Sequence, residues 1–479
     1  MVEVRTDSKA AGRGAIAIVA AQSLSRLALL AFIIVSARKV GPDQFSRYAT
    51  VAALLVVTGF IVDFGTTSAT TKMISAGEDS DKVLRDSLMA CALLGLLGYL
   101  VGIVLAALIG HSTSATVDFI VAGFFLPMDG VTTSLTGALD GRGLITQRSI
   151  VSLFRIGLGP LIGIAIIEAT ANIRLAMVGL AVGPTLAMVV AIIITYRHHV
   201  WSLRARWNPW AGRTLIRRSI PFAVIVGASA TLARFDVLIL SAISTKTATA
   251  DYNLALRAVE ALQYPLWAML GPALYLFSKR LADNDVDGTV RAYQVVIKAF
   301  YAVSLPLAAA MVVLGHQVIL TIFGSAYAGA GTPLVILSAG LWITYVVGLG
   351  GMFVTSYPTM RPVVIMIVVV DTAAIALQVP FILRWGAIGA SIGLLLGQLV
   401  TAVVQAVFVR RTLDVWLPML PPWRLVVSAL ACGVAAWGLR SVSLLMAIVA
   451  GGAAFVLFLV VTRGFTRAEA RSFRLLLRR

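Results

Sequence analysis

Charge is scarce in this chain, and acid is scarcest. Only 13% of the 479 residues are charged and 21 are Asp or Glu, while 59% are hydrophobic and the mean hydropathy is +0.94. A soluble globule carries about a quarter of its residues as charges, so these proportions exclude one and define a polytopic membrane protein. Cysteine is nearly missing. Cys91 and Cys432 both lie in apolar segments, which excludes a disulfide framework or thiolate metal site and leaves them as packing residues. The four histidines, His111, His198, His199 and His316, fall in loops, and no His/Asp/Glu set has metal-ligand spacing, so no cofactor is implied.

What the chain does have is apolar runs of membrane-crossing length, about 20 residues each. They place spans at 14–36, 48–70, 87–110, 118–139, 149–168 and 174–196, then at 219–243, 253–278, 292–314, 333–356, 362–383 and 387–409, with a final pair at 424–439 and 442–462. The expected fold is therefore all-α with about 14 transmembrane helices. Arg5, Lys9 and Arg13 precede the first run, but that run exceeds a signal-peptide core and has no small-residue cleavage site, so it reads as an uncleaved span.

Orientation follows from the basic residues. Alternate connections, taken with both ends of the chain, carry 27 Lys and Arg, the opposite loops carry 7, and five lie within spans. That bias places both termini in the cytoplasm. It also accounts for the formal net charge of +18 through topology signals, leaving nucleic acid excluded as a partner. No outside loop exceeds about 18 residues, which leaves no room for an external catalytic domain, and the chain reads as a transporter and not an enzyme.

The divisions are 1–196, a basic cytoplasmic linker at 197–218, then 219–409, 410–462 and a basic tail at 463–479. The linker mixes Arg204, Arg206, Arg213, Arg217 and Arg218 with Trp201, Trp207 and Trp210. This suits either a segment lying among anionic headgroups or a plain positive-inside connection. The tail, with six arginines and Phe465, Phe473 and Leu475, has the same character. Helices one and seven share a faint repeat, Gln22-Ser23-Leu24-Ser25-Arg26-Leu27 and Ala230-Thr231-Leu232-Ala233-Arg234-Phe235, as expected of two similar lobes around a midplane site.

Charges inside the spans point to function, because an arginine at mid-membrane costs roughly 2.5–3.5 kcal/mol and normally faces water, a partner or an anion. Lys298, Arg155 and Glu168 sit near span ends, where long side chains snorkel. Arg257 and Glu260 are three residues apart on one face, so Arg257 either pairs locally or serves substrate. Arg26 and Arg234 have no acid at helical spacing. Together with Arg257 they form the expected cationic substrate site, suited to phosphate or diphosphate, unless Asp63, Asp129 or Asp371 pairs with them across helices. Asp63, Asp236 and Asp371 are the sites at which H+ or Na+ would couple to transport.

Two segments then resemble a known family. Arg26-Leu27-Ala28-Leu29-Leu30, followed by Val40-Gly41-Pro42-Asp43-Gln44-Phe45-Ser46-Arg47-Tyr48 and ending in Asp63-Phe64-Gly65, resembles the opening of Wzx-type polysaccharide flippases, with Ser46 in place of the usual glycine. Arg234-Phe235-Asp236, then Tyr252-Asn253-Leu254-Ala255-Leu256-Arg257-Ala258-Val259-Glu260, is similar to the opening of that family's second half. The resemblance implies a member of the multidrug/oligosaccharidyl-lipid/polysaccharide flippase superfamily. Two six-helix lobes in a V and two C-terminal helices would lie in the bacterial cytoplasmic membrane. It implies translocation of undecaprenyl-diphosphate-linked oligosaccharide to the outer leaflet by alternating access, alongside a polysaccharide polymerase or glycosyltransferase complex.

Gly227, Tyr264-Pro265 and Gly271-Pro272 would allow helices seven and eight to bend. The alternatives are a lipid II flippase, a multidrug or cation antiporter of the same superfamily, or a non-transporting membrane assembly protein. An antiporter would be expected to offer an acid in helix one, where this chain has Arg26. A polymerase or ligase would need a large outside loop.

Overall fold

The computed structural model describes residues 8–109, 113–200, 211–264, 285–356, 360–414 and 419–462, with positions 266, 273, 277, 280, 281, 283 and 416 between them. Among the described residues every regular element is helical, in about fourteen helical passes. Linker residues 201–210, the tail 463–479, Pro265 and Gly271-Pro272 lie outside the described residues.

Eight described helices are long and apolar enough to cross a membrane, or nine if the bent pair Ser325–Ala339 and Leu341–Thr355 is one span. Two of the eight hold two sequence-predicted spans each. α1 (Ser8–Asp63) breaks at Gly41, whose φ of 73° suits glycine, and Pro42 follows it. The long helix Met360–Leu413 breaks in the same way at Gly386, with φ 55°. Ser46, where the resembling family has glycine, donates from its hydroxyl to the Asp43 carbonyl at 2.8 Å.

The Asp63-Phe64-Gly65 motif is a helix break. Phe64 and Gly65 both have positive φ, 39° and 70°. Asp63 caps the following helix α2 (Thr66–Ser75): its Oδ1 accepts from Thr67 N at 3.2 Å and from Thr67 Oγ1 at 2.7 Å.

Next come α3 (Ser80–Ile109), α4 (Thr113–Gly123) and α5 (Leu126–Gly141). The span expected at 118–139 is thus interrupted at Phe124 and Phe125, before α5 opens with Leu126-Pro127. The span expected at 149–168 comprises α6 (Ile145–Ser152), a π-helical turn Leu153–Leu158 and α7 (Gly159–Thr170). α8 (Ile173–Arg197) follows.

Two compact units divide at Ala242–Ile243. The sequence boundary at 197–218 sits one helix earlier, because α9 (Ala211–Ile243) is grouped with the first unit. There, Leu215 near its start is buried with Ala69 and Ala90, and Arg218 meets Glu78 at 3.0 Å. The first unit's core includes Leu84, Leu88, Leu135, Leu139 and Val151. The second unit contains α10 (Lys246–Leu262), α11 (Val286–Ile322), α12 (Gly331–Ala339), α13 (Leu341–Thr355), α14 (Met360–Leu413), α15 (Trp423–Leu439) and α16 (Leu444–Val461). Phe277, Tyr293 and Phe353 pack together in its core through tilted and edge-on ring contacts. Cys91 and Cys432 are both buried and free.

Candidate functional site

Close helix approach sets the charges of the first unit in place. Gly130 has no room for a Cβ, which would collide with the Cys91 carbonyl, so α5 presses onto α3 and holds the adjacent Asp129 inside the unit, 8% exposed. Opposite it, the π-helical turn carries Arg155. Arg155 donates Nε to Asp129 Oδ1 at 2.6 Å and Nη2 to Asp129 Oδ2 at 2.7 Å. The extra residue of a π-turn shifts the side chains after it around the helix, which is why such turns recur at functional positions.

This corrects the expectation that Arg155 snorkels: its guanidinium is held by a two-point pair across helices. Glu168, half exposed near the end of α7, meets Lys39 at 2.8 Å. Ser25, next to Arg26, packs on the same π-turn, because a Cβ on Gly157 would stand 3.0 Å from the Ser25 hydroxyl.

A second ion cluster was not legible in the sequence. Asp118, fully buried, accepts from Arg47 Nε at 2.6 Å and from Arg174 Nε at 2.5 Å, and also contacts Arg47 Nη2. One carboxylate between two guanidiniums ties the starts of three spans and leaves a net positive charge. Asp118 falls at the first residue of its span, where the chain alone gives no sign that it is buried.

The sequence-predicted residues distribute as follows. Arg26 is half-buried, and Arg234 and Asp236 are buried, all three in the first unit. Asp236 Oδ1 accepts from the Val237 amide at 2.7 Å. Arg257 belongs to the second unit and bonds Glu260 at 3.0 Å, the local pair that the three-residue spacing allows. Asp63 is engaged as a helix cap. Asp371 is half-buried, and its Oδ2 is buried without a hydrogen-bond donor. Asp251 and Asn253 on α10 are further buried polar groups that the sequence reading passed over, Asp251 because it sits just before the apolar window. Among the described residues, no group of three His, Cys, Asp or Glu side chains stands close enough to hold a metal ion.

The sequence pattern of polysaccharide biosynthesis proteins matches residues 11–279, more than half of the chain. No curated protein matches the sequence. Among solved structures, the fold is similar to the lipid II flippase MurJ in an inward closed conformation. The TM-score is 0.78 at 14% identity, covering 94% of this chain and 99% of that one. It is also similar to an inward-facing multidrug resistance MATE family transporter of the MOP superfamily, with TM-score 0.65 at 17% identity over 83% of this chain and 98% of that one. A MOP superfamily transporter from Pyrococcus furiosus, described as having a binding pocket of reverse polarity, matches with TM-score 0.59 at 17% identity, over 84% and 95% of the two chains. At these identities the likeness is one of fold.

Proposed function

The chain belongs to the polysaccharide biosynthesis protein family, and from that membership we propose that it is a flippase moving undecaprenyl-diphosphate-linked oligosaccharide from the cytoplasmic to the outer leaflet by alternating access. The observation that carries this reading is Arg234, 7% exposed within a largely apolar helix. A buried guanidinium suits a diphosphate, which it grips through paired hydrogen bonds. Arg26 is a second proposed substrate contact and Arg257 a third, which would exchange its Glu260 partner for phosphate, while the polyprenyl tail stays in lipid. Both termini lie in the cytoplasm of a bacterial cell, and the basic linker and tail meet anionic lipid or a polysaccharide polymerase or glycosyltransferase complex.

The driving force follows from charge. Moving one charge through 100 mV is worth about 2.3 kcal/mol, so a diphosphate with two negative charges gains roughly 4–5 kcal/mol on leaving an inside-negative compartment. A coupling ion, H+ or Na+, would add to this. Of Asp63, Asp236 and Asp371, the last best suits that role, since Asp63 serves as a cap and Asp371 keeps a buried oxygen without a donor.

A second reading, transport of lipid II, is favoured by the fold likeness to MurJ over 94% of the chain. The test is leaflet exposure of fluorescent undecaprenyl-diphosphate glycans in proteoliposomes under an inside-negative potential. Native protein translocates an oligosaccharide-linked lipid, and the folded Arg26→Ala/Arg234→Ala variant does not. Preference for lipid II would select the second reading, and rates equal to empty vesicles for both lipids would remove the flippase assignment.

A further inference from the structure

An apolar groove of about 330 Å³ runs between α11 and α15 in the second unit. Small residues create it: Ala309 on one helix faces Ala429 and Gly433 on the other, leaving a floor with little side-chain volume. Its walls open outward to lipid, with Leu430 63% and Val434 70% exposed. Ala429, Gly433 and Trp437 recur every four residues, so one helix face borders the groove for about 12 Å. An unfilled channel of this kind forfeits dispersion contacts along its whole lining, and a flexible hydrocarbon chain restores them.

The end of the groove carries charge. Trp437 forms its last wall, and the Arg440 guanidinium carbon stands 5.0 Å from the Trp437 ring centroid. Gln317 on α11 donates to the Arg440 carbonyl at 2.9 Å, which fastens the end of α15 beside α11. Among the described residues, no carboxylate forms an ion pair with Arg440. A tryptophan with an arginine at a helix end is the arrangement expected at headgroup depth.

We propose that this groove binds one acyl chain of an anionic phospholipid whose phosphate rests on Arg440. Apolar lining, opening toward the bilayer and a cation at one end match the two parts of such a lipid. The site is separate from the proposed substrate contacts and does not depend on which glycan is carried. The Arg384–Trp385 pair, 5.2 Å from guanidinium carbon to ring centroid, has no part in the groove and serves as a control.

The experiment is native mass spectrometry of the delipidated full-length protein, titrated with palmitoyl-oleoyl phosphatidylglycerol or with the phosphatidylcholine of the same chains. The proposal expects preferential phosphatidylglycerol binding that falls about fivefold in Arg440→Gln, the effect of one basic residue near an anionic lipid surface. Arg384→Gln should leave that binding unchanged. Gly433→Leu should lose both lipids, because a Cβ at Gly433 meets nothing closer than 3.7 Å and its side chain fills the groove. Arg440 is exposed, so its variant decides the matter even if Gly433→Leu fails to accumulate. Three results overturn the proposal: equal binding of the two lipids, unchanged phosphatidylglycerol binding in Arg440→Gln, or a dimer that separates in Gly433→Leu.

Discussion

Arg155 and Asp129 meet at two points, Nε to Oδ1 at 2.6 Å and Nη2 to Oδ2 at 2.7 Å, joining the π-helical turn to α5. The pair removes both charges from the inventory open to an anionic substrate, and it anchors the turn on which Ser25 rests.

Breaking this pair on one side leaves a buried charge uncompensated, which costs about 3–5 kcal/mol. Asp129→Asn and Arg155→Met should each lower thermal stability in detergent by that order. The double variant Asp129→Asn/Arg155→Met should recover much of the loss. Additive losses in the double-mutant cycle would refute the coupling.

Asp118 should be worth more than either arginine it holds. Asp118→Asn leaves Arg47 and Arg174 facing each other without their anion, a loss on the order of 3 kcal/mol. Arg174→Gln, whose side chain is 39% exposed, should cost less than about 1 kcal/mol. Thermal unfolding of Asp118→Asn, Arg174→Gln and Arg47→Gln checks the ranking.

Two glycines with equal space should respond in opposite ways. A Cβ meets nothing within 4 Å at Gly41 or at Gly452. Gly41 has φ 73°, so Gly41→Ala forces an L-residue into the left-handed region at about 1–2 kcal/mol. Gly452 lies inside α16 with ordinary helical geometry, and Gly452→Ala should be neutral or stabilise by up to about 1 kcal/mol. Unfolding midpoints moving in the same direction would contradict this.

Asp63 and Asp371 should separate stability from coupling. Asp63→Ala removes a helix cap and should cost about 1 kcal/mol of stability. Asp371→Asn should leave the fold intact and abolish any dependence of translocation on an H+ or Na+ gradient at constant potential. Gradient dependence retained in folded Asp371→Asn would exclude Asp371 as the coupling site.

The amino-acid sequence by itself determined the membrane class and the course of the helices. Apolar windows are local sums, so the passes are readable without partners, but they show neither how far ends such as Val286 and Ile322 run on nor the break before α5 and the π-helical turn. The gap between the apolar runs 14–36 and 48–70 contains the break at Gly41, and helical spacing made Arg257–Glu260 readable as a pair, since three residues bring two side chains to one face. The ion pairs made by buried Asp129 and Asp118 join residues 26, 56 and 71 positions apart: Arg155 with Asp129, Arg174 with Asp118 and Arg47 with Asp118. No local rule reaches that far. Tertiary packing decided those pairs, because the approach of helices at contacts such as Gly130 on Cys91 determines which carboxylate a buried guanidinium meets.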